Sequence, residues 1–189
     1  MPIIHETGLP DCRLIVPDRH GDHRGFFAEI WNRRAFIRLG IDIDFVQDNH
    51  SLSPRARTLR GLHAQAPPHA QAKLVRCGRG RLLDVAVDVR VGSPTFGRHV
   101  AIELSSENGR QLFVPVGFLH GFVTLEADTE IVYKCSDHYA PQAELCVHWK
   151  SPALDLGWAG IADPIVSERD AQAPDFAAFR SPFVWEGSR

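Results

Sequence analysis

The sequence predicts an all-β protein, a sandwich or barrel of short strands. Between about Cys12 and Trp158 the apolar stretches are short and broken by Gly, Pro, Asn, Asp and Ser, the punctuation of strands and turns. In the clearest of them the bulky residues fall on every second position, the period of a strand. Long stretches of helical periodicity are absent.

In chain order, the first regular element is a helix over Asn32–Leu39. Asn32 is its cap, Ala35, Phe36 and Leu39 have helical spacing, and Gly40 stops it. In 83–89, Leu83, Val85, Val87 and Val89 share one face and Asp84 and Asp88 the other, which predicts a half-buried strand. Residues 100–104 repeat the alternation, and 111–114 and 130–134 read as further strands, ended by Pro115 and by Ser136-Asp137. Such strands are expected to pair antiparallel through short turns, and Arg76, Arg79 and Arg81 around Gly78 and Gly80 to mark an exposed hairpin. A second short helix follows Ser167. After Trp158 the composition shifts to Ala, Pro and acidic residues. Residues 1–189 are therefore expected to form one domain, with a β core over about 12–158 and a wrapping segment over about 159–189 whose Phe176, Phe179, Phe183 and Trp185 pack on it.

With 21 basic and 23 acidic residues the formal charge is −2, so no global field draws in a nucleic-acid backbone or an anionic membrane. Anion binding must be local. Cys12, Cys77, Cys135 and Cys146 are scattered, with no CxxC pair, which fits neither a zinc site nor a disulfide framework. No signal-peptide pattern and no run of 18 apolar residues occurs. The expectation is a cytoplasmic protein.

The polar residues hardest to explain by folding alone come in clusters: 22–29, 47–49, 60–63, 71–74, 115–122 and 133–134, with Tyr139, Glu144 and Trp149 beyond. Strand alternation would turn Arg60 with Leu62, Gly61 with His63, and Gln71 with Lys73 to common faces, several of them into a barrel interior. A polar interior implies a ligand, and His, Lys, Tyr and Arg together suit an anionic carbonyl compound.

These clusters, with Gln47-Asp48-Asn49-His50-Ser51, Arg60-Gly61-Leu62-His63, Lys73-Leu74-Val75, Ser93-Pro94-Thr95-Phe96-Gly97, Gln111-Leu112, 117–122 and Tyr133-Lys134, resemble in order and spacing the motif series of dTDP-4-dehydrorhamnose 3,5-epimerases. The similarity runs from about Leu9 to Pro174 and takes in Ser167-Glu168-Arg169-Asp170. The resemblance implies a cupin-type jelly roll (a double-stranded β-helix) with a few short peripheral helices, a homodimer working without metal or redox cofactor, and a dTDP-4-keto-6-deoxysugar substrate. His63 would be the base and Asp170 the acid holding its tautomer. Tyr133 would be the opposite-face proton donor and Lys73 the charge that neutralises an enolate. Arg60, Arg24 and Arg169 are the candidates for the diphosphate, with His120 on the loop beside them. Gln47, Asn49 and Glu29 would supply edges for thymine, Tyr139 a stacking ring and Glu144 a further contact, with Phe27 and Asp48 among the substrate contacts. The segment from Arg24 to Glu29 would come from the partner subunit. Two positions depart from the family pattern: Ala64 stands where an aromatic residue is usual, and Arg169 where lysine is common.

The chemistry wants these residue types. Hydrogens beside a ketone are acidified, and a histidine titrating near 6.5 can accept one at neutral pH. A phenol near 10 stays protonated until a carbanion takes its proton. Three other readings compete: an epimerase that inverts one carbon only, a non-catalytic sugar-nucleotide binder, and a metal-dependent cupin using His63, His69 and His120 with Glu126 or Glu144. Binding alone needs neither a base nor an acid. The metal reading lacks the His-x-His pair, since position 65 is Gln65.

Overall fold

In the computed structural model, which describes residues 2–187, the chain forms two antiparallel sheets packed face to face. The strands are β1 (Ile3–Glu6), β2 (Arg13–Val16), β3 (Arg19–Asp22), β4 (Gly25–Ala28), β5 (Gln47–Ser53), β6 (Leu59–Gln65), β7 (Lys73–Arg79), β8 (Arg81–Asp88), β9 (His99–Ser105), β10 (Gln111–Val114), β11 (Phe118–Thr124), β12 (Thr129–Cys135) and β13 (Glu144–Cys146). One sheet has the order β1-β2-β10-β7-β12-β5, the other β13-β6-β11-β8-β9, and β3-β4 stands apart as a two-stranded ribbon. From β5 to β8 the chain changes sheet at every step. Few neighbours are therefore joined by the short turns the sequence suggests: β5 pairs with β12 and β6 with β11. The arginine-bearing turn at Gly80 is likewise a corner between the two sheets rather than a hairpin, with Arg79 and Arg81 exposed.

Two short α-helices accompany the sheets, α1 (Arg33–Arg38) and α2 (Glu168–Ala171), each held at its N-terminus by a capping side chain, Asn32 and Ser167. Both match the sequence reading. The alternation of β8 also appears as predicted, but its second face is not wet. Leu83, Val85, Val87 and Val89 turn outward and are covered by Leu154, Leu156, Trp158, Phe176, Phe179 and Phe183 of the C-terminal segment. Leu82, Asp84, Ala86 and Asp88 face the space between the sheets, and both aspartates are fully buried. A strand covered on both sides cannot leave a polar face to water, so each carboxylate needs partners. Asp88 has the Arg90 guanidinium and the Ser93 and Thr95 hydroxyls at 2.6–3.0 Å. Asp84 has His120.

The space between the sheets is apolar at one end. Val75, Cys77, Leu112, Val114 and Ile131 from one sheet meet Leu82, Ala86, Leu104, Phe118 and Phe122 from the other. A third cluster, Ile15, Phe36, Ile41, Leu74 and Phe113, seats α1 on the outside of the six-stranded sheet. Each large apolar side chain buried in this way contributes about 1.5–3 kcal/mol. At the opposite end of the inter-sheet space polar side chains replace the apolar ones.

Candidate active site

A β-bulge sets the site's geometry. On β6, Arg60 pairs with Phe122 and His63 with His120, so Gly61 and Leu62 together oppose only Gly121. The extra residue shifts the alternation by one. Leu62 is packed outward in the core, while Arg60 and His63 line the same cavity, a pairing opposite to the one that simple alternation predicts. Gly61 makes this possible. Its φ is +115°, and a Cβ there would sit 2.7 Å from the Gly121 Cα and the His120 carbonyl oxygen.

His63 is held from behind by α2. Its Nε2 lies 2.7 Å from Asp170 Oδ1, and Asp170 is 4 % exposed. Burial alone would raise the Asp170 carboxyl, but the hydrogen bond and charge of His63, the Gly61 backbone N–H and Ser167 hold it below the usual carboxylate range. With Nε2 committed to the carboxylate, Nδ1 is the imidazole nitrogen left for other chemistry.

From β7 and β12 come Lys73 and Tyr133. Both line the cavity with His63, Arg60, His120, Phe122 and Arg169, in a volume of about 390 Å³. A second hollow of about 490 Å³ shares His63, Lys73 and Tyr133 and continues past Gln47, Asn49, Gln65, Gln71, Tyr139 and Glu144. Desolvation pushes the Lys73 ammonium below its ordinary value, opposed by Cys135, Asp84 and Glu144. Desolvation also raises the Tyr133 phenol, so it stays protonated well past neutrality. His120 lies on strand β11, not on a loop, and its Nε2 meets Asp84 Oδ1 at 2.9 Å. Among the described residues Asp84 Oδ2 has no hydrogen-bond partner. Sequence reasoning misses this aspartate, although a carboxylate amid Leu-x-Val-x-Val alternation is itself a signal once both faces are known to be covered.

Glu144 and Arg169 form an ion pair, and Glu144 also accepts from the Tyr139 hydroxyl at 3.1 Å. Gln47 and Asn49 hydrogen-bond to each other at 3.0 Å, and Gln47 accepts from the Tyr139 backbone N–H. Asp48, between them on β5, points the other way, where it pairs with Lys134 at 2.9 Å, and its side chain does not reach the cavity. Nor do Arg24, Phe27 and Glu29 within one chain. Arg24 pairs with Asp22, Glu29 accepts from Asn32, and Phe27 is 70 % exposed. The reason is that the β3-β4 ribbon, with Arg24 in its turn, Phe27 on β4 and Glu29 just beyond, pairs with no other strand among the described residues. The three-histidine metal set is not gathered either: His69 is engaged with Asp137 and Glu126 with Arg81. Among the described residues the convergent metal-type donors are instead His63, Glu144 and Cys146.

The two sheets and their polar end define a jelly roll of the cupin type with a ligand cavity between its sheets. Comparison with known proteins narrows that class. The family model for dTDP-4-dehydrorhamnose 3,5-epimerase matches residues 6–178. A dTDP-4-dehydrorhamnose 3,5-epimerase of Sinorhizobium fredii is 49% identical over 177 residues, spanning 94% of this chain and 91% of the relative. One from Salmonella typhimurium is 47% identical, spanning 92% and 95%. A crystal structure of the Legionella pneumophila enzyme in complex with dTDP-4-keto-L-rhamnose superimposes with a TM-score of 0.93 at 40% identity, covering 98% of this chain and 100% of that one. The chain belongs to the dTDP-4-dehydrorhamnose 3,5-epimerase family, a family of enzymes.

Proposed function

We propose that this protein epimerises dTDP-4-dehydro-6-deoxy-D-glucose at carbons 3 and 5 to dTDP-4-dehydro-L-rhamnose, in the synthesis of a deoxysugar. The observation that carries the reading is the His63–Asp170 pair at 2.7 Å opening on the cavity that Tyr133 and Lys73 also line. His63 Nδ1 removes the hydrogen beside the ketone, and the Asp170 carboxylate stabilises the imidazolium as it forms. Lys73 sits where desolvation makes a positive charge most effective against the developing enolate oxygen. Tyr133, kept protonated by burial, returns a proton from the other face. Arg60, Arg169 and His120 line the part of the cavity suited to the diphosphate. Gln47, Asn49, Tyr139 and Glu144 line the part suited to thymine. The exposed β3-β4 ribbon and the residues that follow it, with Arg24, Phe27 and Glu29, serve the site of a second subunit in a homodimer, which accounts for its exposed Phe26 and Phe27.

Incubation with the keto sugar nucleotide in deuterated water tests this. Label at carbons 3 and 5 is the expected outcome. Label at one carbon alone identifies a single-position epimerase, and label at neither refutes the assignment. His63→Ala abolishes exchange at both carbons, whereas Tyr133→Phe retains exchange and loses inversion. Equal loss in the two variants refutes the division of roles.

A further inference from the structure

Two residues that line the cavity, His63 and Glu144, converge with a cysteine that the proposed reaction does not use. Leu62 and Val147 exchange both backbone hydrogen bonds, at 3.2 and 3.0 Å. The next pair along the ladder, His63 opposite Cys146, is therefore the narrow kind in which side chains stand closest. Glu144, two residues before Cys146 on β13, projects from the same face. One ligand atom from each of His63, Glu144 and Cys146 lies within 4.8 Å of the other two.

Two further features turn this cluster toward a cation. Behind the imidazole, Asp170 holds Nε2 and leaves the Nδ1 lone pair available; a carboxylate in that position is the outer partner that metal-bound histidines usually have. In front, the Arg169 guanidinium donates to Cys146 Sγ at 3.0 Å and pairs with the Glu144 carboxylate, so a positive charge already occupies the place between thiol and carboxylate. Its side chain is 49% exposed and has solvent to swing into. Imidazole, thiolate and carboxylate together are a zinc-type donor set.

We propose that His63, Glu144 and Cys146 bind a borderline-soft divalent cation of the zinc class, which displaces Arg169 and blocks the His63 imidazole. The Cys146 thiol loses its proton to solvent as the metal–sulfur bond forms, and the guanidinium leaves still protonated. That occupancy inhibits the enzyme rests on the base role proposed for His63; the binding itself does not.

The test uses the full chain. Zinc added to metal-free enzyme is expected to abolish deuterium exchange into the keto sugar nucleotide, and a chelator to restore it. Cobalt(II) in place of zinc is expected to give a thiolate-to-metal charge-transfer band. Cys146→Ser and Cys146→Ala keep the metal-free turnover, lose the band, and raise the zinc concentration for half-inhibition at least about tenfold. Inhibition of both variants at the wild-type zinc concentration overturns the site, as does wild-type enzyme that gives no thiolate band. Should the variants fail to fold, alkylation of Cys146 in the wild type decides: zinc slows it if the site exists, and an unchanged rate overturns the proposal. A metal-free enzyme with no turnover would refute the epimerase reading, while the cobalt band would still test the site independently.

Discussion

Replacing Asp170 with Asn removes one charge from the site while keeping the shape. The imidazolium that forms when His63 takes a proton stands 2.7 Å from Asp170 Oδ1. Two unit charges at that separation interact by about 6 kcal/mol at an effective dielectric of about 20. His63 is 29% exposed at its side chain, so water screens part of this, and the asparagine carbonyl still offers a dipole. A loss of about 3–4 kcal/mol remains, which at 1.36 kcal/mol per tenfold is about 10²–10³ in kcat. KM should change little, because the carboxylate acts on the charge that develops rather than on the substrate as bound. The fold should survive, since asparagine has the shape of the carboxylate and the backbone N–H at this position keeps its bond to the Ser167 cap. The assay is deuterium wash-in at carbons 3 and 5 followed by NMR, beside a thermal melt. A fall in kcat of less than about tenfold in a folded variant would refute the reasoning, as would a loss carried mainly by KM.

Three other outcomes follow from the same geometry. Lys73→Met removes a charge that burial disfavours, so it should raise stability while lowering kcat by about 10²-fold; a destabilised variant in a denaturant titration would contradict this. Gly61→Ala forces a Cβ to within 2.7 Å of backbone at a φ of +115°, at a cost of about 3 kcal/mol, and moves Arg60 and His63 off their shared face; a denaturation midpoint and activity near wild type would contradict it. Because the folded Asp170 carboxyl lies below its unfolded value, its ionised form stabilises the fold above the ordinary carboxyl range near 4 and that contribution is lost as pH falls through the depressed folded value. Melting temperature measured down the acid limb should therefore drop more steeply in wild type than in Asp170→Asn, and parallel curves would rule out the linkage.

The amino-acid sequence alone determined the elements that depend on neighbours along the chain. Asn32 and Ser167 cap helices where their spacing says they should, the alternation of 83–89 falls on β8 because a period of two is a local property, and the short runs at 111–114 and 130–134 fall within β10 and β12. His63, Lys73 and Tyr133 were legible as candidates because a base, a cation and a phenol are unusual in apolar strands, and Asp170, on α2, because its motif resembles that of a family. The tertiary structure decided which faces are wet. Asp84 and Asp88 read as the solvent side of a strand until the second sheet covers them, and burial then turns Asp84 into the partner of His120. It also decided which side chains meet. One extra residue in β6 sends Arg60 and His63 to the same cavity, a shift invisible in the strand's own sequence because a bulge is a relation between two strands. The same holds for His63, Glu144 and Cys146: a long stretch of chain separates the first from the other two, and only the pairing of β13 with β6 brings them together.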